Sequence, residues 1–145
     1  SIIGTALEAM INKLALSIKQ VDGGIELVTA DSDIECVSLG KLIKTGHISG
    51  LRENITIETL EGPVMRANFA AKIFEPGDEE NYTWNIKGVP NIHLRQNNVP
   101  SVPITCASAV NRIPDIINAP PGFITAEKLD TPFFRASALE TYLTK

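Results

Sequence analysis

The stretch ITIETLEGPVMRANFAAKIF, residues 55–74, decides the architecture. Ile55 and Ile57 alternate with Thr56 and Glu58. Past a break, Met65, Ala67, Phe69, Ala71 and Ile73 alternate with Arg66, Asn68, Ala70 and Lys72. Successive side chains of an extended chain point to opposite faces. A period of two therefore predicts strands with one face on a core and the other wetter. Glu61-Gly62-Pro63 between the two runs is turn chemistry, which makes them an antiparallel pair.

On the N-terminal side of this pair the period is shorter-lived. Ile25 with Leu27, and Ile34 with Cys36, form brief alternating runs separated by a turn at Ala30–Asp33. Further back, Ile3, Ala6, Leu7, Met10, Ile11, Leu14, Ala15 and Ile18 recur at steps of three and four. That spacing predicts a helix over 3–19 with one buried stripe, stopped by Asp22-Gly23-Gly24. On the C-terminal side, the polar turn 76–81 leads to Tyr82, Trp84 and Ile86. Gly88-Val89-Pro90 then breaks that run before Ile92 and Leu94, with His93 on the wet side. Trp84 and Phe69 read as core or interface aromatics. Helical spacing returns at Ile104, Ala107, Val110, Ile113 and Ile117 with Ser101 placed as N-cap. Pro114 predicts a kink or a new start there, and Ala119-Pro120-Pro121-Gly122 closes the segment. The tail from Thr131 carries Phe133, Phe134, Leu139 and Tyr142 in a short helical stretch. The expected class is α+β: a largely antiparallel or mixed sheet with helices packed on one face, in a single domain spanning residues 1–145.

Composition narrows the function. The chain has 145 residues, 43% hydrophobic and 21% charged, with 13 Lys and Arg against 17 Asp and Glu for a net charge of −4. Nucleic acid is not the expected partner, because a phosphate backbone asks for a basic stripe. No apolar run is long enough for a membrane span, and the amphipathic N-terminal stretch does not read as a secretory signal. Cys36 and Cys106 make no disulfide framework. With only His47 and His93 beside them, no zinc site of the finger type is expected, and no metal. The expected setting is the cytoplasm. Neither G-x-G-x-x-G nor G-x-x-x-x-G-K-[ST] occurs, so no phosphate-cradling turn is present. G-x-S-x-G is absent as well.

Three residues stand out as candidates for binding. His47 lies between two glycines in Gly46-His47-Ile48-Ser49-Gly50, a setting for close backbone approach or a tight bend. Thr105 falls where small side chains mark a helix start, whose N–H groups favour a carboxylate. Asn111 is a polar residue in an apolar stretch and needs partners if buried. The carboxylates at Asp31/Asp33 and Asp78/Glu79/Glu80 fall in turns, where short acidic residues stay hydrated.

Residues 109–129, AVNRIPDIINAPPGFITAEKL, resemble the C-terminal signature of the 2,4-diaminopentanoate dehydrogenase family, relatives of dihydrodipicolinate reductase. KTGHISG (44–50), ANFAAKIF (67–74) and WNIKGVPNIHL (84–94) are similar in the same order. The resemblance implies the C-terminal substrate-binding and oligomerisation domain of an NAD(P)-dependent oxidoreductase. Its N-terminal Rossmann domain, absent from this chain, would bind the NAD or NADP. The implied reaction is oxidative deamination of a diamino acid by hydride transfer. The implied partners are a small amino acid-like substrate and further copies in a homo-oligomer, and this chain by itself would be inactive. His47, Thr105 and Asn111 are the substrate-binding candidates that the resemblance suggests; it assigns no catalytic residue. The chain lacks the histidine-rich stretch with a lysine, and the P-S-G-T-A-like turn, of dihydrodipicolinate reductases proper. The alternative reading is a stand-alone small-ligand-binding or assembly module without catalysis.

Overall fold

A computed structural model describes residues 2–130 and 132–143, apart from the side chains of Ile2 and Glu127. In chain order the elements are α1 (Ile2–Lys13), β1 (Ile18–Thr29), β2 (Ile34–Cys36), β3 (Lys41–Ile43), β4 (Ile48–Thr59), β5 (Val64–Lys72), β6 (Asn81–Ile86), β7 (Ile92–Asn97) and α2 (Ser101–Asn118). They fall into two compact units. The first is Ser1–Glu75 with Pro120–Thr131, and the second is Pro76–Ala119 with Pro132–Lys145.

The first unit is an antiparallel sheet of order β1-β4-β5. The alternation at 55–74 becomes the register Ile55 opposite Ala67, Thr56 opposite Arg66 and Ile57 opposite Met65. α1 covers one face: Leu7 and Ile11 pack on Ile55 and Ile57, with Ile3, Met10, Leu16, Met65 and Ala67 around them. Glu53 points to that same face, is buried, and accepts a hydrogen bond from the Ile3 N–H at 3.4 Å. A carboxylate there meets the positive end of the helix and takes one of its unpaired N–H groups. The tight β4–β5 turn is closed by the Thr59 hydroxyl, which donates to the Pro63 carbonyl at 2.7 Å, with Gly62 at φ 109°. β2 and β3 form a separate small hairpin.

Two expectations at the N-terminus are corrected. The helix stops at Lys13 rather than 19, and Asp22-Gly23-Gly24 lies inside β1 instead of ending a helix. Leu14 is 61% exposed, so another helical turn gains no burial there. Ala15 turns the chain at φ 54°, and Leu16 reaches the core. Asp22, Gly23 and Gly24 pair with Thr56, Ile55 and Asn54. A Cβ on Gly23 would sit 2.4 Å from the Asn54 carbonyl oxygen, so this glycine serves the close approach of two strands.

The second unit holds the β6–β7 hairpin, α2 and the tail. Tyr82, Trp84 and Ile86 stand opposite Gln96, Leu94 and Ile92 on one hairpin face. The other face carries polar pairs, and His93 Nδ1 lies 2.6 Å from Asn85 Oδ1. α2 begins one residue earlier than expected, with Pro100 as N-cap; Ser101 instead donates its hydroxyl to Glu80 at 2.8 Å. The helix continues through Pro114, whose ring is fully buried, to Asn118. Among its described residues the tail contains one short 3-10 turn, Leu139–Tyr142.

Candidate functional site

His47 belongs to the first unit, and Thr105 and Asn111 to the second. His47 sits on the loop entering β4. Its carbonyl accepts from the Ala30 N–H at 2.9 Å, and its own N–H donates to Lys44 O at 2.9 Å. Gly46, at φ 79°, donates to Ala30 O at 2.8 Å, so the glycine here makes the bend. The His47 ring is exposed, and no hydrogen bond among the described residues engages it.

Acidic side chains fix the loops around His47. Asp33 accepts from Lys44 Nζ at 2.7 Å, from the Thr45 N–H at 2.9 Å and from the Thr45 hydroxyl at 3.0 Å. The Lys44 hydrogen bond first, then the two from Thr45, hold its carboxyl down at about 2. Glu75 accepts from the N–H groups of Asp31 at 2.8 Å and Ser32 at 3.0 Å. Desolvation pushes the Glu75 carboxyl up, but the hydrogen bonds from Ser32, Asp31 and Lys72 outweigh it, and the net shift is downward. These carboxylates act as loop staples.

On α2 the expected roles shift. Thr105 lies in the second turn, not at the helix start, and its hydroxyl donates back to Ser101 O at 2.8 Å. Asn111 is half-buried, and its backbone carbonyl accepts from Arg135 Nε at 2.8 Å. Six helical steps turn about 240°, so Thr105 and Asn111 do not share a helix face.

Sequence reading missed Arg135. Its side chain is only 4% exposed, it pairs with Asp115, and its guanidinium lies 4.4 Å from the Phe133 ring centre and 4.7 Å from that of Tyr142. Arg112 holds the other Asp115 oxygen at 3.1 Å. Nothing local in the tail signals this, because Asp115 lies twenty residues away. The Ser137 N–H donates to the Tyr142 hydroxyl at 3.1 Å and lowers its pKa.

The open face of the β1-β4-β5 sheet carries a valley of about 420 Å³. Its floor is the backbone of Gly23, Ile55 and Ala67. One bank is the row Asp22, Thr56 and Arg66, and the other is Asn54 and Asn68. No motif in the sequence marks it; the residues converge only through strand register.

Residues 3–143 match the family described as 2,4-diaminopentanoate dehydrogenase C-terminal domain. The chain belongs to that family. A solved amine dehydrogenase from Mycobacterium smegmatis is similar to it, with 32% identity and a TM-score of 0.78, over 89% of this chain and 38% of that one. No curated protein matches. The resemblance carried by residues 44–50 and 109–129 is therefore borne out, as is the α+β class. This chain spans little more than a third of the length of that amine dehydrogenase.

The domain's own helix ends do not suit a nicotinamide dinucleotide. A pyrophosphate seeks the free N–H groups of a helix start. In α1 the Glu53 carboxylate already stands there, and like charge repels phosphate. In α2 the first turn contains Pro103, which has no N–H, and Ser101 leans on Glu80. Among the described residues no cluster of His, Cys, Asp and Glu could hold a metal ion. Among the described residues no helix is long and apolar enough to cross a membrane.

Proposed function

We propose that this domain is the substrate-binding and oligomerisation part of a cytoplasmic NAD(P)-dependent dehydrogenase that deaminates a diamino acid. The observation that carries the reading is the match of residues 3–143 to the 2,4-diaminopentanoate dehydrogenase C-terminal family. The similarity to an amine dehydrogenase more than twice as long supports a division of labour, in which a Rossmann domain outside this chain holds the nicotinamide cofactor. His47, with its unengaged ring, is the proton-handling or polar group on the substrate side in this reading. Assembly into a homo-oligomer is supported by the apolar hairpin face, where Trp84, Leu94 and Ile86 are each more than 40% exposed.

A dehydrogenase assay of the whole polypeptide that contains this domain tests the reading. Diamino acids are offered with NAD or NADP, and nicotinamide reduction is followed. Turnover of a diamino acid, lost or weakened in His47→Ala, is expected. A folded whole polypeptide that reduces neither cofactor with any diamino acid overturns it.

A further inference from the structure

The valley on the open sheet face has a charge layout that no structural role absorbs. Asp22, Thr56 and Arg66 stand in one row across β1, β4 and β5, with the carboxylate on one edge strand and the guanidinium on the other. Two strand spacings put their Cα atoms about 10 Å apart, and the two do not pair with each other. No hydrogen bond or ion pair among the described residues engages the Arg66 guanidinium or the Thr56 hydroxyl. Asp22 has one oxygen on Gln20 Nε2, at 2.6 Å, and the other is free. On the opposite bank Asn68 Nδ2 donates to Asn54 Oδ1, which orients both amides and leaves Asn54 an amide donor and Asn68 a carbonyl acceptor.

The floor shows the same bias. Ile55 is committed to the core under α1, so the valley bottom is bare backbone. At the Asp22 end the next residue facing the open side is Gly24, where a Cβ would meet nothing within 4 Å. A strand position without a side chain costs stability, and Gly23 alone already provides the close strand approach. Gly24 keeps that end of the valley clear.

We propose that this valley binds a zwitterion: an amino acid whose carboxylate and ammonium are separated by a few carbons, laid across the three strands. The carboxylate meets the fork of Arg66, which is built for two-point contact with a planar oxyanion. The ammonium meets the free oxygen of Asp22 on the opposite edge strand. Thr56 lies under the connecting chain. The proposal goes beyond the dehydrogenase reading, because binding here is set by this sheet face alone and needs neither cofactor nor turnover.

The test is an amide NMR titration of the protein with 5-aminopentanoate, with pentanoate and pentylamine as single-charge controls. Shifts clustered at Gly23, Asn54, Thr56, Arg66 and Asn68 are expected, with the zwitterion binding at least about tenfold tighter than either control, the worth of one charge-assisted hydrogen bond. Arg66→Gln and Asp22→Asn, both surface changes, should each weaken it about tenfold while leaving the remaining spectrum in place. Gly24→Val should weaken it by filling the open end. Equal affinity for zwitterion and controls overturns the proposal. So does the absence of shifts on this face, or amide shifts there that follow protein dilution without ligand, which would mean that a second copy covers it.

Discussion

Arg135 shows how one buried charge can hold a segment that has no regular structure of its own. Its guanidinium is withdrawn from water, so it must be paired and stacked to stay charged at tolerable cost. Asp115 supplies the counter-charge, the Asn111 carbonyl takes Nε, and Phe133 and Tyr142 offer ring faces. Arg135→Ala leaves Asp115 with only Arg112 and should cost about 3 kcal/mol, read as a fall in thermal midpoint. Asp33 works in the opposite setting, at the surface, where its bonds to Lys44 and Thr45 hold it at about 2 against an ordinary 3.8. A carboxyl with a depressed folded pKa lends stability that is complete above the ordinary value. That stability is lost as pH falls toward the folded one. Between about pH 4 and pH 2 the melting temperature should therefore drop, and Asp33→Asn should flatten part of that limb while lowering the neutral plateau slightly. Circular-dichroism melts across the acid range check both.

At the scale of elements, α1 and β1 divide the N-terminal thirty residues differently from what their periodicity suggests. The apolar steps through Leu14, Ala15 and Ile18 fit a helix as well as anything earlier in the run. Burial decides: Ile11 is fully enclosed by the sheet, whereas Leu14 hangs 61% in solvent. Ile11→Ala should cost about 3 kcal/mol, and Leu14→Ala under about 0.5, measured by denaturant titration. Asp22-Gly23-Gly24 reads locally as a breaker because glycine and aspartate favour turns. In the sheet, Gly23 is instead the residue that lets β1 lie against the Asn54 carbonyl, and β1 runs twelve residues without a turn. The strands at 55–74 were legible because their alternation, their turn and their partner are all neighbours in sequence. The Ser101 expectation was off for a related reason. A helix end follows whichever contacts are available, and Ser101 found Glu80 while the Pro114 ring found a buried place.

Across the whole molecule, protection is uneven. β4 is paired on both sides and shares Ile55 and Ile57 with α1, whereas β6 and β7 pair only with each other and are exposed along their length. Two-stranded hairpins are marginal alone in water, so β6 and β7 amides should exchange with deuterium far faster than those of β4. Mass-resolved exchange of the protein reads this directly, and equal rates would contradict it. Of the candidate site, the sequence displayed His47 between its glycines and the 109–129 signature. It concealed the Asp22–Thr56–Arg66 row, whose members lie in three separate stretches of chain. The sequence by itself determined the α+β class, the antiparallel β4–β5 pair and the family, because alternation, turn residues and signature strings are local patterns. Tertiary structure alone decided where α1 ends, that β1 runs through its glycines, how Arg135 is held and that a polar valley forms. Each of those depends on a partner distant in the chain, and its energy appears only once that partner arrives.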